Sequence, residues 1–172
     1  MKKGESKMDA NQWIEQLQMD AHPEGGYFKS SFTSDEMRAH RSHLEERPLY
    51  TSIYFLLRTQ DVSHFHRLKS DELWYYHTGS ALTVHIIDKK GNYRQEKLGI
   101  NIAAGEKPQV LVSRGSIFGS TVDHANSFSL VGCMVSPGFD FSDFELFTQE
   151  ELLKDYPGHS EIINKLAYPR LP

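Results

Sequence analysis

The centre of the chain contains three residues of the types that bind metal ions or transfer protons. His64 and His66 are separated by Phe65 alone, and Glu72 follows after a short polar stretch. Because side chains two positions apart in a regular strand lie on the same face, we expect His64 and His66 to point to one side together. Two imidazoles and a carboxylate suit a divalent ion such as iron, manganese, nickel or zinc, with open positions left for a substrate.

Aromatic and cationic side chains accompany these residues. Trp74 and Tyr76 share the expected face of Glu72, and with Phe118 they are expected to line one cavity, where their flat rings could stack on a planar or sugar-like ligand. The alternative is a core that is simply filled by aromatic side chains. Arg67 and Arg114 could hold an anionic ligand through a bidentate contact, or could form surface ion pairs instead.

A series of short strands must position these residues. From Leu49 to Phe147, segments rich in aromatic and β-branched residues alternate with Gly, Asp, Asn and Pro, which is typical of an antiparallel sandwich or barrel. The predicted fold class is therefore mostly β. The predicted strands are 27–32, 49–57, 62–66, 72–77, 81–88, 93–98, 109–112, 116–121, 128–136 and 141–147.

Short helices are expected at both ends of this β region. Within 9–20, the apolar residues Trp13, Ile14 and Leu17 recur at helical spacing after a capping-box pattern. A second capping-box pattern opens the predicted C-terminal helices at 148–167. The sequence therefore predicts a β core with a short helix before it and short helices after it.

The size and charge of the chain restrict the classes of function. Its 172 residues fit a single domain, 1–172, with its core at about 49–147. The net charge is −4 and the Lys and Arg residues are scattered, so we expect no nucleic-acid partner. No window reaches the ~18 consecutive apolar residues of a membrane span, and the first residues are charged, so we expect no membrane partner and a cytoplasmic location.

The spacing of His64, His66, Glu72 and Gly79 resembles the first signature of the cupin superfamily. The resemblance implies that His64, His66 and Glu72 are metal ligands. One residue more than usual precedes Glu72, so Asp71 is an alternative ligand.

The second cupin signature corresponds best to residues 113–118, where only Gly115 is kept. Phe118 stands where the family normally has a third metal-binding histidine. His77 and His85 are the candidates to replace that histidine, although the regular alternation of a strand places His77 on the face opposite to Glu72.

Longer stretches look like one branch of the superfamily, whose members have no known function. These stretches are 22–28, 51–57, 66–74 and 130–141. The resemblance implies a double-stranded β-helix, or jelly-roll, barrel that holds a small-molecule ligand and pairs into homodimers. It implies no particular reaction, because one fold hosts many chemistries.

Three functions are compatible with these observations. The first is a metal-assisted enzyme that acts on a small polar or sugar-like metabolite. The second is a metal-free sugar epimerase or isomerase in which His66 removes a proton and Tyr76 returns one. The third is a module that binds a metabolite without changing it. The charged segment 34–47 is either a solvated loop or a lid over the mouth of the barrel.

Overall fold

The computed structural model describes residues 8–41, 43 and 45–172. The first part of the chain forms α1 (Ala10–Gln16), β1 (Asp20–Ala21), β2 (Tyr27–Thr33), β3 (Met37–Arg38), β4 (Arg47–Pro48), β5 (Thr51–Arg58), β6 (Val62–Leu68) and β7 (Asp71–Gly79). The second part forms β8 (Leu82–Ile87), β9 (Tyr93–Leu98), β10 (Gln109–Val112), β11 (Ile117–Val122), β12 (Phe128–Ser136), β13 (Phe144–Leu146), α2 (Gln149–Asp155) and α3 (Ser160–Leu166).

Two sheets face each other around one hydrophobic core. The larger sheet has the strand order β1-β2-β5-β12-β7-β10, and the smaller has the order β13-β6-β11-β8-β9. All pairings between these strands are antiparallel. Fully buried side chains from both sheets meet between them, among them Phe55, Leu57, Trp74, Val84 and Ile86. The predicted jelly-roll barrel is thus confirmed.

The N-terminal helix covers one end of the outer face of the larger sheet. It begins as predicted, because Asp9 Oδ1 accepts a hydrogen bond from the backbone N–H of Gln12 and the Gln12 side chain accepts one in return. Trp13 and its neighbours pack against Leu56 of β5. The helix ends earlier than predicted, because Gln18 adopts a left-handed φ of 52°.

The C-terminal helices cover the outer face of the smaller sheet. Leu152, Ile163 and Leu166 pack on Phe65 and Ile87 in a second hydrophobic cluster. Among the described residues, no helix is long and apolar enough to cross a membrane.

The strand predicted at 141–147 is shorter than expected. Phe141–Asp143 forms a 3-10 turn instead, because the side chain of Asp140 accepts a hydrogen bond from the backbone N–H of Ser142. Only Phe144–Leu146 pairs with β6.

A β-bulge in β6 changes the direction of the side chains that the sequence analysis singled out. His66 pairs with Phe118 and Ser63 pairs with Ser120, so that two residues of β6 lie opposite Gly119 alone. The extra residue breaks the regular alternation of side chains. The expectation that His64 and His66 share a face is therefore wrong.

The partner strand accommodates this bulge through a glycine. A Cβ atom at Gly119 would lie only 2.5 Å from the carbonyl oxygen of Ser63. The two backbones can approach this closely only because position 119 has no side chain.

Candidate functional site

A cavity of about 650 Å³ lies between the two sheets of the barrel. Most of its wall is apolar and aromatic, contributed by Phe28, Ile53, Phe55, Leu68, Trp74, Val135, Phe139, Phe141 and Phe144. Its titratable lining includes His22, Glu24, His66 and Glu72, together with Glu45, Glu46, Arg47, Cys133 and Asp140. A concave apolar pocket with a few converging polar groups is the usual form of a small-molecule site.

The turn before β2 carries Glu24 into this cavity. Gly25 has a φ of +109°, and a Cβ atom there would lie 2.1 Å from the carbonyl oxygen of Val62, so the turn can lie against β6 only with glycine at this position. The phenol of Tyr168 donates a hydrogen bond of 3.0 Å to the carbonyl of Pro23. The backbone on both sides of Glu24 is therefore held in place.

His64 holds the same turn from the other side. Its backbone N–H and its ring Nδ1 each lie 2.7 Å from the carbonyl oxygen of Glu24, to which both donate. Its ring stacks on that of Tyr168, with centroids 3.6 Å apart and an angle of 11°. His64 lies outside the cavity lining, so it positions Glu24 and does not face the ligand.

The carboxyl group of Glu24 contacts three side chains. Its Oε1 accepts a hydrogen bond of 2.7 Å from the hydroxyl of Ser63. Its Oε2 lies 3.3 Å from Nε2 of His66 and 3.5 Å from Nδ1 of His22. The bulge in β6 makes this possible, since it brings both Ser63 and His66 to the same carboxyl group.

The hydrogen bonds around His66 require a proton between this residue and Glu24. Nδ1 of His66 lies 2.8 Å from the carbonyl oxygen of His64, which can only accept, so Nδ1 carries a hydrogen. In the neutral ring, Nε2 then presents a lone pair to Glu24 Oε2. Two lone pairs would repel each other at 3.3 Å, so one of the two groups must be protonated.

Burial decides which of the two groups holds that proton. Desolvation raises the pKa of Glu24 and lowers the pKa of His66 to about 4. The proton therefore belongs to the carboxyl group, and His66 is neutral near pH 7. Desolvation also lowers the pKa of His22, whose Nδ1 accepts a hydrogen bond from the backbone N–H of Glu24.

Glu72 is the second carboxyl group of the cavity. Burial raises its pKa to about 8, and repulsion from the Glu24 carboxyl group, whenever that group is ionised, adds to this shift. Oε2 of Glu72 and Nε1 of Trp74 are both buried, and among the described residues neither has a partner that meets the usual distance and angle of a hydrogen bond. The side chains of Trp74 and Cys133 nevertheless lie close enough to Glu72 to oppose the rise of its pKa through hydrogen bonding.

Other residues from the sequence analysis lie at the cavity margin or outside it. Phe118 packs on His66 with ring centroids 4.1 Å apart and is not part of the lining. Tyr76 points inward near the far end of β7, where its hydroxyl donates to the carbonyl of Gly79 at 2.7 Å. Asp71 accepts a hydrogen bond from the backbone of Arg114 at 2.7 Å and lies outside the cavity.

The remaining candidates lie outside the interior of the barrel. Arg67 forms an ion pair of 2.6 Å with Glu145, and Arg114 lies beside it in a surface groove. His77 packs on Tyr54 on the outside of the larger sheet. His85 is bonded through both ring nitrogens, to Tyr93 and Thr121, on the outside of the smaller sheet.

The side chains present do not fit the metal site that the resemblance implies. His64 faces away from the cavity, and Phe118 stands where the third histidine would be needed. Nδ1 of His22 already accepts a backbone hydrogen bond. Within the described part of the chain, no group of three or more His, Cys, Asp or Glu residues could hold a metal ion.

Sequence reasoning missed three residues of this site: His22, Glu24 and Ser63. His22 and Glu24 belong to a turn rich in Pro and Gly, which resembles an ordinary surface connection. The stretch 22–28 did carry part of the family resemblance, but a single sequence does not reveal that a carboxyl group from this turn enters the barrel.

The segment between β2 and β5 lies at the mouth of the cavity. Met37, Arg47 and Pro48 contribute to the lining. Arg47 is held there by Asp143, whose Oδ2 accepts a hydrogen bond of 2.7 Å from the guanidinium. In its described parts, the segment 34–47 thus has the location expected of a lid.

Comparisons with known proteins agree with this architecture. The chain is similar to a hypothetical protein from Leishmania major, with 41% identity over 94% of this chain and 99% of the other and a TM-score of 0.88. A protein from Shewanella oneidensis is 49% identical over 95% of this chain and 99% of the other, also with a TM-score of 0.88. Oxalate decarboxylase of Bacillus subtilis, described with Mn(II) centres, shares the fold at 16% identity, with a TM-score of 0.55 over 90% of this chain and 41% of the other.

No curated protein matches the chain. A family model described as "Cupin superfamily (DUF985)" matches residues 11–147. Together with the barrel and its internal cavity, this match shows that the chain belongs to the DUF985 family of the cupin superfamily.

Proposed function

We propose that the protein is an enzyme that transfers protons on a small molecule held in the barrel, and that it does so without a metal ion. The observation that carries this proposal is the contact of 3.3 Å between Glu24 Oε2 and His66 Nε2 at a buried wall of the cavity. A carboxyl group and a neutral imidazole that share one proton form an acid–base pair.

Glu72 supplies the second proton-transfer group. Glu24 passes its proton to Nε2 of His66 as its carboxylate takes a proton from one atom of the substrate, and the protonated carboxyl group of Glu72 gives a proton to another atom. The substrate is isomerised with no net gain or loss of protons or electrons. Water then exchanges the protons of the two groups and restores them. Two carboxyl groups in different surroundings commonly divide acid and base roles in this way.

This proposal keeps His66 as the base of a metal-free isomerase but replaces the predicted acid. The hydroxyl of Tyr76 is bonded to the carbonyl of Gly79, whereas Glu72 lines the cavity. A metal-assisted reaction has one support, the fold shared with oxalate decarboxylase, and the donor geometry opposes it. A binding module without turnover would use the same cavity.

Deuterium incorporation distinguishes the enzyme from the binding module. Wild-type protein and the variant Glu24→Gln are incubated with a metabolite extract in D₂O, and each compound is followed by mass spectrometry. We expect at least one compound to gain deuterium with wild-type protein only. The matched control is Glu145→Gln, because Glu145 lies outside the cavity on β13. If no compound gains more deuterium with wild-type protein than with Glu24→Gln, the protein is not this kind of enzyme.

We further propose that the chain forms a homodimer through the outer face of the larger sheet. Leu111, Leu73 and Met134 are aligned across β10, β7 and β12 on that face, and Leu111 is 48% exposed. An uncharged patch can meet its own copy about a twofold axis without repulsion between like charges. A second copy of this chain is therefore the partner that suits this face.

A further inference from the structure

A second concavity, a surface groove of about 680 Å³, lies outside the interior of the barrel. Four of the side chains that line it are cationic, those of Arg67, Lys69, Lys89 and Arg114. They come from three separate segments: the end of β6, the turn between β8 and β9, and the turn between β10 and β11. Because the whole chain has a net charge of −4, this local concentration of positive charge is opposite in sign to that of the molecule.

Two of these four cations already have anionic partners. Arg67 forms the ion pair with Glu145, and Nζ of Lys69 lies 3.2 Å from Oδ1 of Asp143. Asp143 and Glu145 are the acidic residues among the described lining of the groove. The positive charges of the groove therefore outnumber its negative charges by two.

The turn that carries Arg114 is fixed by its backbone. The backbone N–H of Arg114 donates a hydrogen bond of 2.7 Å to Oδ1 of Asp71, and the backbone N–H of Gly115 donates one of 2.8 Å to the carbonyl of Leu68. Gly115 has a left-handed φ of +75°, and a Cβ atom there would lie 2.7 Å from Cε of Lys89. Glycine at this position therefore lets the side chain of Lys89 lie across the turn of Arg114.

Lys89 and Arg114 are the uncompensated charges of the groove. In the described part of the chain, neither side chain forms an ion pair or a side-chain hydrogen bond, and both residues are exposed. A cation on an open surface is normally satisfied by water, but two cations held beside each other repel one another. An anion that lies between them removes this repulsion.

We propose that the groove binds a doubly charged phosphate group between Lys89 and Arg114. The fork of an arginine matches two oxygen atoms of a phosphate group, and a lysine adds a compact point charge. A doubly charged group compensates both free cations, whereas a single carboxylate compensates one. This site is distinct from the cavity of the proposed function, and its ligand is a second small molecule that carries the phosphate group.

Three anions test the proposal on the full-length protein. Inorganic phosphate and phenyl phosphate carry the same group as a free ion and as an ester, and both are mainly doubly charged at about pH 8. Acetate is the singly charged comparison. Binding is measured by titration calorimetry. We expect both phosphates to bind about tenfold or more tightly than acetate, and the tighter of the two identifies the free ion or the ester as the ligand.

A pair of double variants locates the site. Lys89→Gln with Arg114→Gln should weaken the binding of phosphate by about tenfold or more. The matched control is Lys97→Gln with Lys154→Gln, which changes the net charge equally at exposed residues outside the groove. We expect the control to keep its affinity for phosphate within about twofold. Thermal melting checks that both variants are folded.

Three results would overturn the proposal: neither phosphate binds the wild-type protein, acetate binds as tightly as the phosphates, or the control loses as much affinity as the groove variant. The last result would show that only the net charge of the chain attracts the anion. Binding is measured without turnover, so the outcome does not depend on whether any compound gains deuterium in the test of the proposed function.

Discussion

Oε2 of Glu24 lies 3.3 Å from Nε2 of His66, although a turn supplies one residue and a bulged strand the other. Both residues are almost fully buried, and hydrogen bonds with His64 hold the backbone carbonyl of Glu24 and the imidazole ring of His66. His64 therefore organises the acid–base pair without entering the cavity.

The first prediction concerns the acid–base pair itself. Glu24→Gln keeps the shape of the side chain and its acceptor for Ser63, but it removes the proton that Glu24 shares with His66. We expect the rate of deuterium exchange to fall by about 100-fold or more, the usual contribution of general acid–base catalysis. Exchange is measured by mass spectrometry on the compound identified with wild-type protein. An unchanged rate in the folded variant would exclude Glu24 from the reaction.

The second prediction concerns the bulge that turns His66 inward. In Gly119→Ala, the new Cβ atom would lie 2.5 Å from the carbonyl of Ser63, so β6 and β11 must move apart. We expect a loss of about 1–3 kcal/mol in the free energy of unfolding, as for other overpacked sites. Urea denaturation measures it. Gly158→Ala is the control, because a Cβ atom there has no neighbour within 4 Å, and equal losses in the two variants would contradict the prediction.

The same bulge explains which part of the site could be predicted from sequence. Strands β10 and β12 have the predicted bounds, because apolar and β-branched runs between turn residues are a local signal, and β9 has them because Gly91 and Asn92 mark the turn before it. Glu72 and Trp74 face the cavity as the alternation of a regular strand predicts. The alternation fails at His64, because the direction of its side chain depends on the bulge opposite Gly119 in the neighbouring strand β11. The residues of β6 alone give no sign of that bulge.

Glu24 illustrates a second kind of missing information. Its role depends on contacts with Ser63 and His66, which are distant in the sequence and come close only when the turn lies against β6. A local pattern of Pro and Gly predicts the turn but not where its side chains point. The acidic lining of the cavity is likewise a property of the folded chain, since Glu24, Glu45 with Glu46, Glu72 and Asp140 come from four separate segments.

The third prediction is a pH dependence at the mouth of the cavity. Burial alone would raise the pKa of Asp143, but the hydrogen bond from Arg47 and the ion pair with Lys69 outweigh it, and the pKa is lowered. A lowered carboxyl pKa stabilises the fold above the unfolded pKa of ~3.9, and this stabilisation is lost as the pH falls through the folded value.

The variant Arg47→Met tests this linkage. Arg47 and Asp143 are each 5% exposed, so removal of the guanidinium leaves a poorly compensated buried charge. We expect a loss of about 3 kcal/mol in the free energy of unfolding at pH 7. The difference from wild-type protein should shrink as the pH falls through the lowered folded-state pKa of Asp143, because the protonated carboxyl group no longer needs the guanidinium. Urea denaturation across this pH range measures it, and a difference that does not change with pH would contradict the linkage.

The fourth prediction concerns the dimer. We expect wild-type protein to sediment at twice the 19.8 kDa of one chain. Leu73→Glu should shift it to the monomer, because a charge at the centre of the apolar face would be buried without a partner. Ile102→Glu is the control, since Ile102 is 66% exposed and lies outside the larger sheet. A wild-type monomer, or a Leu73→Glu dimer as stable as wild type, would refute this interface.

The fifth prediction concerns metal content. Because His64 faces away from the cavity and Phe118 stands where a third histidine would be required, we expect freshly purified protein to contain only substoichiometric iron, manganese, nickel and zinc. Elemental analysis by mass spectrometry measures these metals. A chelator should change neither the melting temperature nor the rate of deuterium exchange, because the proton between Glu24 and His66 needs no metal. The opposite result would be one tightly bound metal ion per chain, with a chelator removing both the ion and the exchange activity. It would show that the reaction depends on a metal and that its ligands adopt positions different from those described.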